Sequence, residues 1–198
     1  MSLLFDTRDG KFDTRRVETF SDAVLAVAIT LMVLRIAPPV ARDGQSVGDL
    51  FWNETVPDVI YFLITFVVIV LFWIHHHDNF KLLPRSMSAQ ALWLNMGFLA
   101  CICLLPFGLE FFSQENATVL TVAVYAGLMA VATIFLGALG RIARGSWEGG
   151  AFVGAAVFLL AIPFAPLLGG WCLMVWWLDV PIERLVRRYR ARRAAHTP

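Results

Sequence analysis

Long apolar runs recur along this chain, separated by short polar connections, and nearly all of its basic residues fall on alternate connections. A run of ~20 apolar residues is what an α-helix needs to cross the hydrocarbon layer of a bilayer. Within lipid, a helix satisfies every backbone donor and acceptor from its own segment. Six such segments can be marked, at about 17–36, 57–76, 88–109, 117–139, 149–164 and 166–182. The composition agrees: 59% of the 198 residues are hydrophobic and 16% charged, where a soluble domain has roughly half and a quarter. The expectation is an all-α membrane protein, a single domain over 1–198 with six transmembrane helices and a basic tail at 183–198.

The first twenty residues carry several charges and no apolar core, so no cleavable signal peptide is expected. The last two segments are short. Gly149, Gly150 and Gly154, then Pro163 and Pro166, then Gly169 and Gly170 predict a short helix, a sharp break and a second short helix. Pro38 to Asp58 reads as a polar loop.

Orientation follows from the basic residues. Arg8, Lys11, Arg15 and Arg16 precede the first segment, Lys81 and Arg85 follow the second, and Arg141 and Arg144 follow the fourth. Arg184, Arg187, Arg188, Arg190, Arg192 and Arg193 form the tail, so fourteen of sixteen Lys and Arg share one side, against Arg35 and Arg42 on the other. Basic residues collect on the cytoplasmic side, and only an even number of crossings with both termini cytoplasmic gives this split. The arginine tail reads as topological anchoring and contact with anionic headgroups, with no nucleic-acid partner expected.

Cys101, Cys103 and Cys172 all lie in apolar segments, and positions two apart on a helix point to opposite sides, so Cys101 and Cys103 cannot share a metal or a disulfide. They read as small packing residues.

The residues that can carry function cluster where the first segment begins, in Arg16-Val17-Glu18-Thr19-Phe20-Ser21-Asp22. Charged groups at the mouth of a membrane helix are costly near lipid and point to function. Helical spacing puts Phe20, Ala23, Val27, Thr30 or Leu31, and Leu34 on one stripe, with Ser21 and Asp22 rotated off it. The stripe can therefore face an axis while Ser21 and Asp22 face neighbouring helices. An ordinary buried helix seam is the plainer alternative.

At the end of the second segment, Trp73, His76 and Phe80 fall on one face, whereas His75 and His77 do not share it. Three successive histidines diverge by ~100° each and make a poor metal site; none is expected. Asn95, early in the third segment, would lie at the depth of Asp22 and His76, and three polar groups at one level predict a hydrogen-bonded support network.

Together, Arg16-x-x-x-Phe20-Ser21-Asp22 followed by Ala23 and Thr30, Trp73-x-x-His76, and Asn95 ahead of Leu105-Pro106-Phe107 resemble the prokaryotic branch of the transmembrane-protein-175 family, lysosomal potassium channels and their bacterial relatives. The resemblance spans roughly residues 15–110; the remaining segments agree in number and hydropathy. It implies a potassium-permeable channel of the cytoplasmic membrane, with other monovalent cations admitted less readily, no cofactor, and a pore lined by the first helix of each subunit. Prokaryotic members have one six-helix unit and assemble as homotetramers, whereas animal members carry two units. On this chain the family's hydrophobic constriction falls on Val27, Leu31 and Leu34, with Thr30 as a nearby hydroxyl. Arg16, Phe20, Ser21, Asp22, Trp73, His76 and Asn95 match the network that supports the pore helix.

In one respect the chain departs from that pattern, because the narrowest position, commonly Ile or Leu in the family, is the smaller Val27. The sequence also has no Thr-Val-Gly-Tyr-Gly loop, so a filter of that carbonyl type is not available, and an apolar ring that gates by dewetting is the physical alternative. No nucleophile-and-base pair or phosphate loop suggests an enzyme. Two rivals stay open: a proton-linked transporter using Asp22 and His76 as its titrating pair, and a non-conducting membrane scaffold.

Overall fold

The computed structural model describes residues 11–40, 44, 46–114, 118–146 and 150–168. Over them the chain runs β1 (Lys11–Asp13), α1 (Thr14–Val33), α2 (Val47–Leu50), a π-helical turn (Phe51–Thr55), α3 (Val56–Leu82), β2 (Ser86–Ser88), α4 (Ala89–Gln114), α5 (Val119–Arg144) and α6 (Gly150–Leu168). Three helical stretches, Val47–Leu82, Ala89–Ser113 and Val119–Arg144, are long and apolar enough to cross a membrane, and Phe152–Leu167 is a shorter apolar helix. The chain is a multi-pass membrane protein.

Local chemistry sets the helix ends. The Asp13 side chain caps α1 by accepting from the Arg16 amide at 3.1 Å. Ser46 does the same for α2, accepting from the Gly48 and Asp49 amides. The Thr118 side chain caps α5, which ends at Gly145 with φ +73°, the left-handed conformation that glycine adopts without a Cβ penalty.

The described residues are helical as expected, and three details differ. First, β1 and β2 pair antiparallel, Phe12 opposite Met87. Three-residue strands are too short to show a period of two. The ladder continues into a bond from the Thr14 amide to the Arg85 carbonyl at 3.0 Å, so the start of α1 is clamped to the connection between α3 and α4. Second, the segment read as a loop from Pro38 to Asp58 turns helical at Val47 and runs unbroken into α3. Pro57 stands at the junction where the π-helical turn Phe51–Thr55 gives way to α3, the kind of irregular turn that accommodates a lost backbone bond.

Third, α6 passes through Pro163 and Pro166 without the predicted break. A proline removes one bond to the carbonyl four residues back. Packing supplies what is lost, since Phe158, Ala161 and Ala165 are buried along the helix and belong to the main core. The second short helix expected at 166–182 falls, beyond Leu168, outside the described residues, as does the basic tail.

α5 is central, flanked by α4 and α6, and α1 lies against α3 and α4. A methyl group on Gly97 would stand 2.7 Å from the Phe135 ring, so the α4–α5 contact requires glycine there. Leu25, Ala28 and Met32 of α1 enter the main core with Ile69, Phe72, Phe98, Ile102, Leu105 and Met129. A smaller cluster of Phe80, Met87, Ala91 and Leu139 closes the end of the bundle carrying the strands.

Candidate functional site on the first helix

One face of α1 is consumed by the fold. Ser21, Leu25, Ala28 and Met32 recur every three or four residues and are buried. The other face is uncovered: Phe20 is 53% exposed, Val27 55%, Leu31 50% and Leu34 79%, with Ala23 and Thr30 also exposed. The Thr30 hydroxyl turns back to the Val27 carbonyl at 2.8 Å. Arg16 is exposed on the first turn of the same helix.

Polar groups fix the buried face at its amino-terminal end. Asn95 Nδ2 donates to Ser21 Oγ at 2.9 Å, and Ser21 donates in turn to the Val17 carbonyl at 2.8 Å. Asn95 Oδ1 lies 2.8 Å from His76 Nε2. Because the Ser21 proton is committed to Val17, Asn95 must present its amide nitrogen to Ser21 and its oxygen to His76, which makes His76 Nε2 the donor. Ser21, His76 and Asn95 are each fully buried, and Phe80 and Phe98 lie against the imidazole with ring centroids at 4.3 and 5.5 Å. The three helices α1, α3 and α4 are thus joined by one neutral chain.

Asp22 is not part of that chain. Its carboxylate accepts from Trp73 Nε1 at 2.9 Å, at a half-exposed site. Trp73 does not share the His76 side as its spacing suggested; its ring stacks on His77 at 5.8 Å, and His77 Nδ1 lies 3.1 Å from Glu18 Oε1. A helical turn puts positions 73 and 77 one above the other, and here that pair points to the rim of the α1–α3 contact. Asp22 and His76, the titrating pair of the transporter alternative, have different partners. Among the described residues no group of three or more His, Cys, Asp and Glu could hold a metal ion.

A second polar cluster, at the carboxy-terminal end of α1, escaped the sequence reading. Arg35 Nη2 donates to Asp58 Oδ1 at 2.9 Å, and its Nε lies 2.6 Å from Glu110 Oε2 as an ion contact off the line of a hydrogen bond. Ser113 Oγ donates to the same Asp58 oxygen at 2.9 Å. Arg35 is the buried member, its side chain 7% exposed against 23% for Asp58 and 41% for Glu110. The signal existed: Glu110 is a charge within an otherwise apolar helix, the feature that singled out Asp22.

Residues 16–106 match the family model described as endosomal/lysosomal potassium channel TMEM175. Over these residues the chain is similar to the TMEM175 family. A potassium channel of Chamaesiphon minutus is 34% identical over 133 residues, which is 62% of this chain and 63% of that one. A potassium channel of Streptomyces collinus is 31% identical over 134 residues, 64% of this chain and 63% of its own length. A Gallus gallus protein named endosomal/lysosomal proton channel TMEM175 is 33% identical over 106 residues, 50% of this chain and 21% of that protein. The chain thus spans just under two thirds of the two bacterial relatives. The crystal structure of a lysosomal potassium-selective channel TMEM175 homologue from Chamaesiphon minutus superposes with a TM-score of 0.61 at 24% identity, covering 91% of this chain and 97% of that one. The two share a fold. TMEM175 proteins are ion channels, not enzymes.

Proposed function

We propose that the chain is the subunit of a passive cation channel that admits K⁺ in preference to Na⁺. Four copies would bring the uncovered stripe of α1 to a common axis in the cytoplasmic membrane, with six crossings per subunit and both termini on the cytoplasmic side. The observation that carries this reading is the division of α1 into two faces. Ser21, Leu25, Ala28 and Met32 are held by the subunit's own core, while Val27, Leu31 and Leu34 are left outward at helical spacing. The bacterial relatives named potassium channels support the choice of ion.

Val27, Leu31 and Leu34 would form the constriction, with Thr30 the nearest hydroxyl that could replace water around an ion. An apolar ring passes an ion only when the ring is wet, and it favours the cation that sheds water more easily, which is K⁺. Ser21, Asn95 and His76, with Asp22 and Trp73, would support the pore helix. Arg16 and Phe20, which the resemblance assigns to the support network, are exposed on α1 and would face the amino-terminal mouth instead. No cofactor is required; the permeant ion is the only ligand.

The test is passive flux. Purified protein in liposomes should pass K⁺ faster than Na⁺, and Val27→Asn and Leu31→Asn should each raise total flux while reducing the preference for K⁺. A pH-sensitive dye in the same vesicles reads proton flux, the activity named in the Gallus gallus relative. Wild-type vesicles that pass no cation would sink the channel reading and favour the scaffold.

A further inference from the structure

The stripe on α1 does not end with the helix. Leu34, its last member and the most exposed at 79%, is also the residue that closes α1, with φ −62° and ψ −17°. Beyond it the backbone tightens into turns, the Arg35 amide donating to the Met32 carbonyl at 3.4 Å and the Ile36 amide to the Val33 carbonyl at 3.0 Å, so Leu34 lies outside the regular α-helical ladder that holds Val27 and Leu31. The next residue is Arg35, whose side chain turns the opposite way, into the protein.

There it meets one carboxylate from each of two other helices. Asp58 lies in the first turn of α3 and is held from a second side by Ser113. Glu110 lies near the carboxy-terminal end of α4, where the helix dipole opposes a negative charge, so the guanidinium offsets a local penalty as well as forming a pair. Planar, forked and always charged, a guanidinium can hold two carboxylates in fixed directions, which an ammonium cannot. The Arg35 Nη1 nitrogen is buried with no hydrogen-bond partner among the described residues, so the group is held by its two carboxylates alone among them.

Resting on the channel reading, we propose that Arg35 is a positioning residue for the constriction. Its pairs to Asp58 and Glu110 tie the end of α1 to α3 and α4 and thereby fix how far Leu34 projects toward the axis. The amino-terminal end of the stripe is set by the Ser21–Asn95–His76 chain, and this clasp sets the other end. Freed of it, the last turn of α1 would let Leu34 swing, and the ring would lose its outermost apolar layer.

A double-mutant cycle on the full chain in liposomes tests this. Arg35→Gln should lower the K⁺ over Na⁺ flux ratio by about threefold, as expected for residues that couple through contact. Arg35→Lys, which keeps the charge and loses the fork, should fall between. Leu34→Ala should lower the ratio by itself, and adding Arg35→Gln to it should change little further, because the clasp acts through that side chain. Should Arg35→Gln fail to assemble, Glu110→Gln removes one arm and should shift the ratio in the same direction by less. Unchanged selectivity in Arg35→Gln and Glu110→Gln, or effects of Arg35→Gln and Leu34→Ala that multiply, would overturn the proposal while leaving the channel reading intact. A wild type without flux would instead overturn the channel reading.

Discussion

The two ends of α1 are fastened in different ways. At the amino-terminal end the fastening is neutral and dry: Ser21, Asn95 and His76 are fully buried, and their hydrogen bonds run from α1 through α4 to α3. At the carboxy-terminal end it is ionic and half wet: a buried Arg35 joins two carboxylates that reach the surface. Neutral groups can be buried at modest cost once each has its partner. Charges cannot, and survive near an apolar layer only when paired and partly solvated. The difference teaches where each kind of bond can stand in a membrane protein, with the neutral chain deep in the helix contacts and the ions at a rim.

The largest effect in this comparison should come from breaking the ionic end. Arg35→Ala leaves Asp58 and Glu110 without their shared counter-charge, and because both reach the surface the cost should sit at the low end for a broken buried pair, about 3 kcal/mol. Thermal unfolding of the detergent-solubilised protein should show a large fall in melting temperature. An unchanged melt would mean that solvent already screens the cluster and that the two ends differ less than their burial suggests.

The neutral end should give a smaller loss, graded by how many groups are orphaned. Asn95→Ala removes two buried hydrogen bonds and strands His76 Nε2, and should cost about 2 kcal/mol, whereas Ser21→Ala strands one amide donor and should cost about 1 kcal/mol. Asp22→Ala should fall below both, because its one bond goes to a half-exposed Trp73. The same melts rank the three, and an Asp22→Ala loss exceeding that of Asn95→Ala would reverse the assignment of the central member.

The neutral end was also the more legible of the two in the sequence. Helical spacing alone separates Ser21 from the stripe of Val27, Leu31 and Leu34, and polar residues at one depth on three segments predict a network. Spacing could not say which polar group meets which. The sequence puts Asp22 at one level with His76 and Asn95, and the fold gives the place of Asp22 in that network to Ser21, which bonds Asn95, because Asp22, ~100° further round the helix, reaches the rim instead. The ionic end was hidden for a different reason. In the sequence Arg35 is simply one of two basic residues on its side, and its partners Asp58 and Glu110 sit 23 and 75 positions away, on helices whose relative rotation no local pattern encodes. The short strands and the uninterrupted α6 share that cause, since tertiary packing rather than local propensity decided them.

The central claim is that one face of α1 meets a water-filled axis and the other the subunit core. Cysteine accessibility measures it directly. In a background with Cys101, Cys103 and Cys172 replaced by Ser or Ala, single cysteines at Val27, Leu31 and Leu34 are compared with cysteines at Leu25 and Met32. A charged thiol reagent added to conducting proteoliposomes should label the first three and cut K⁺ flux, and should leave the other two untouched. Labelling of the cysteines at positions 25 and 32, or undiminished flux after labelling at positions 27, 31 and 34, would contradict the assignment of α1 as the pore-lining helix.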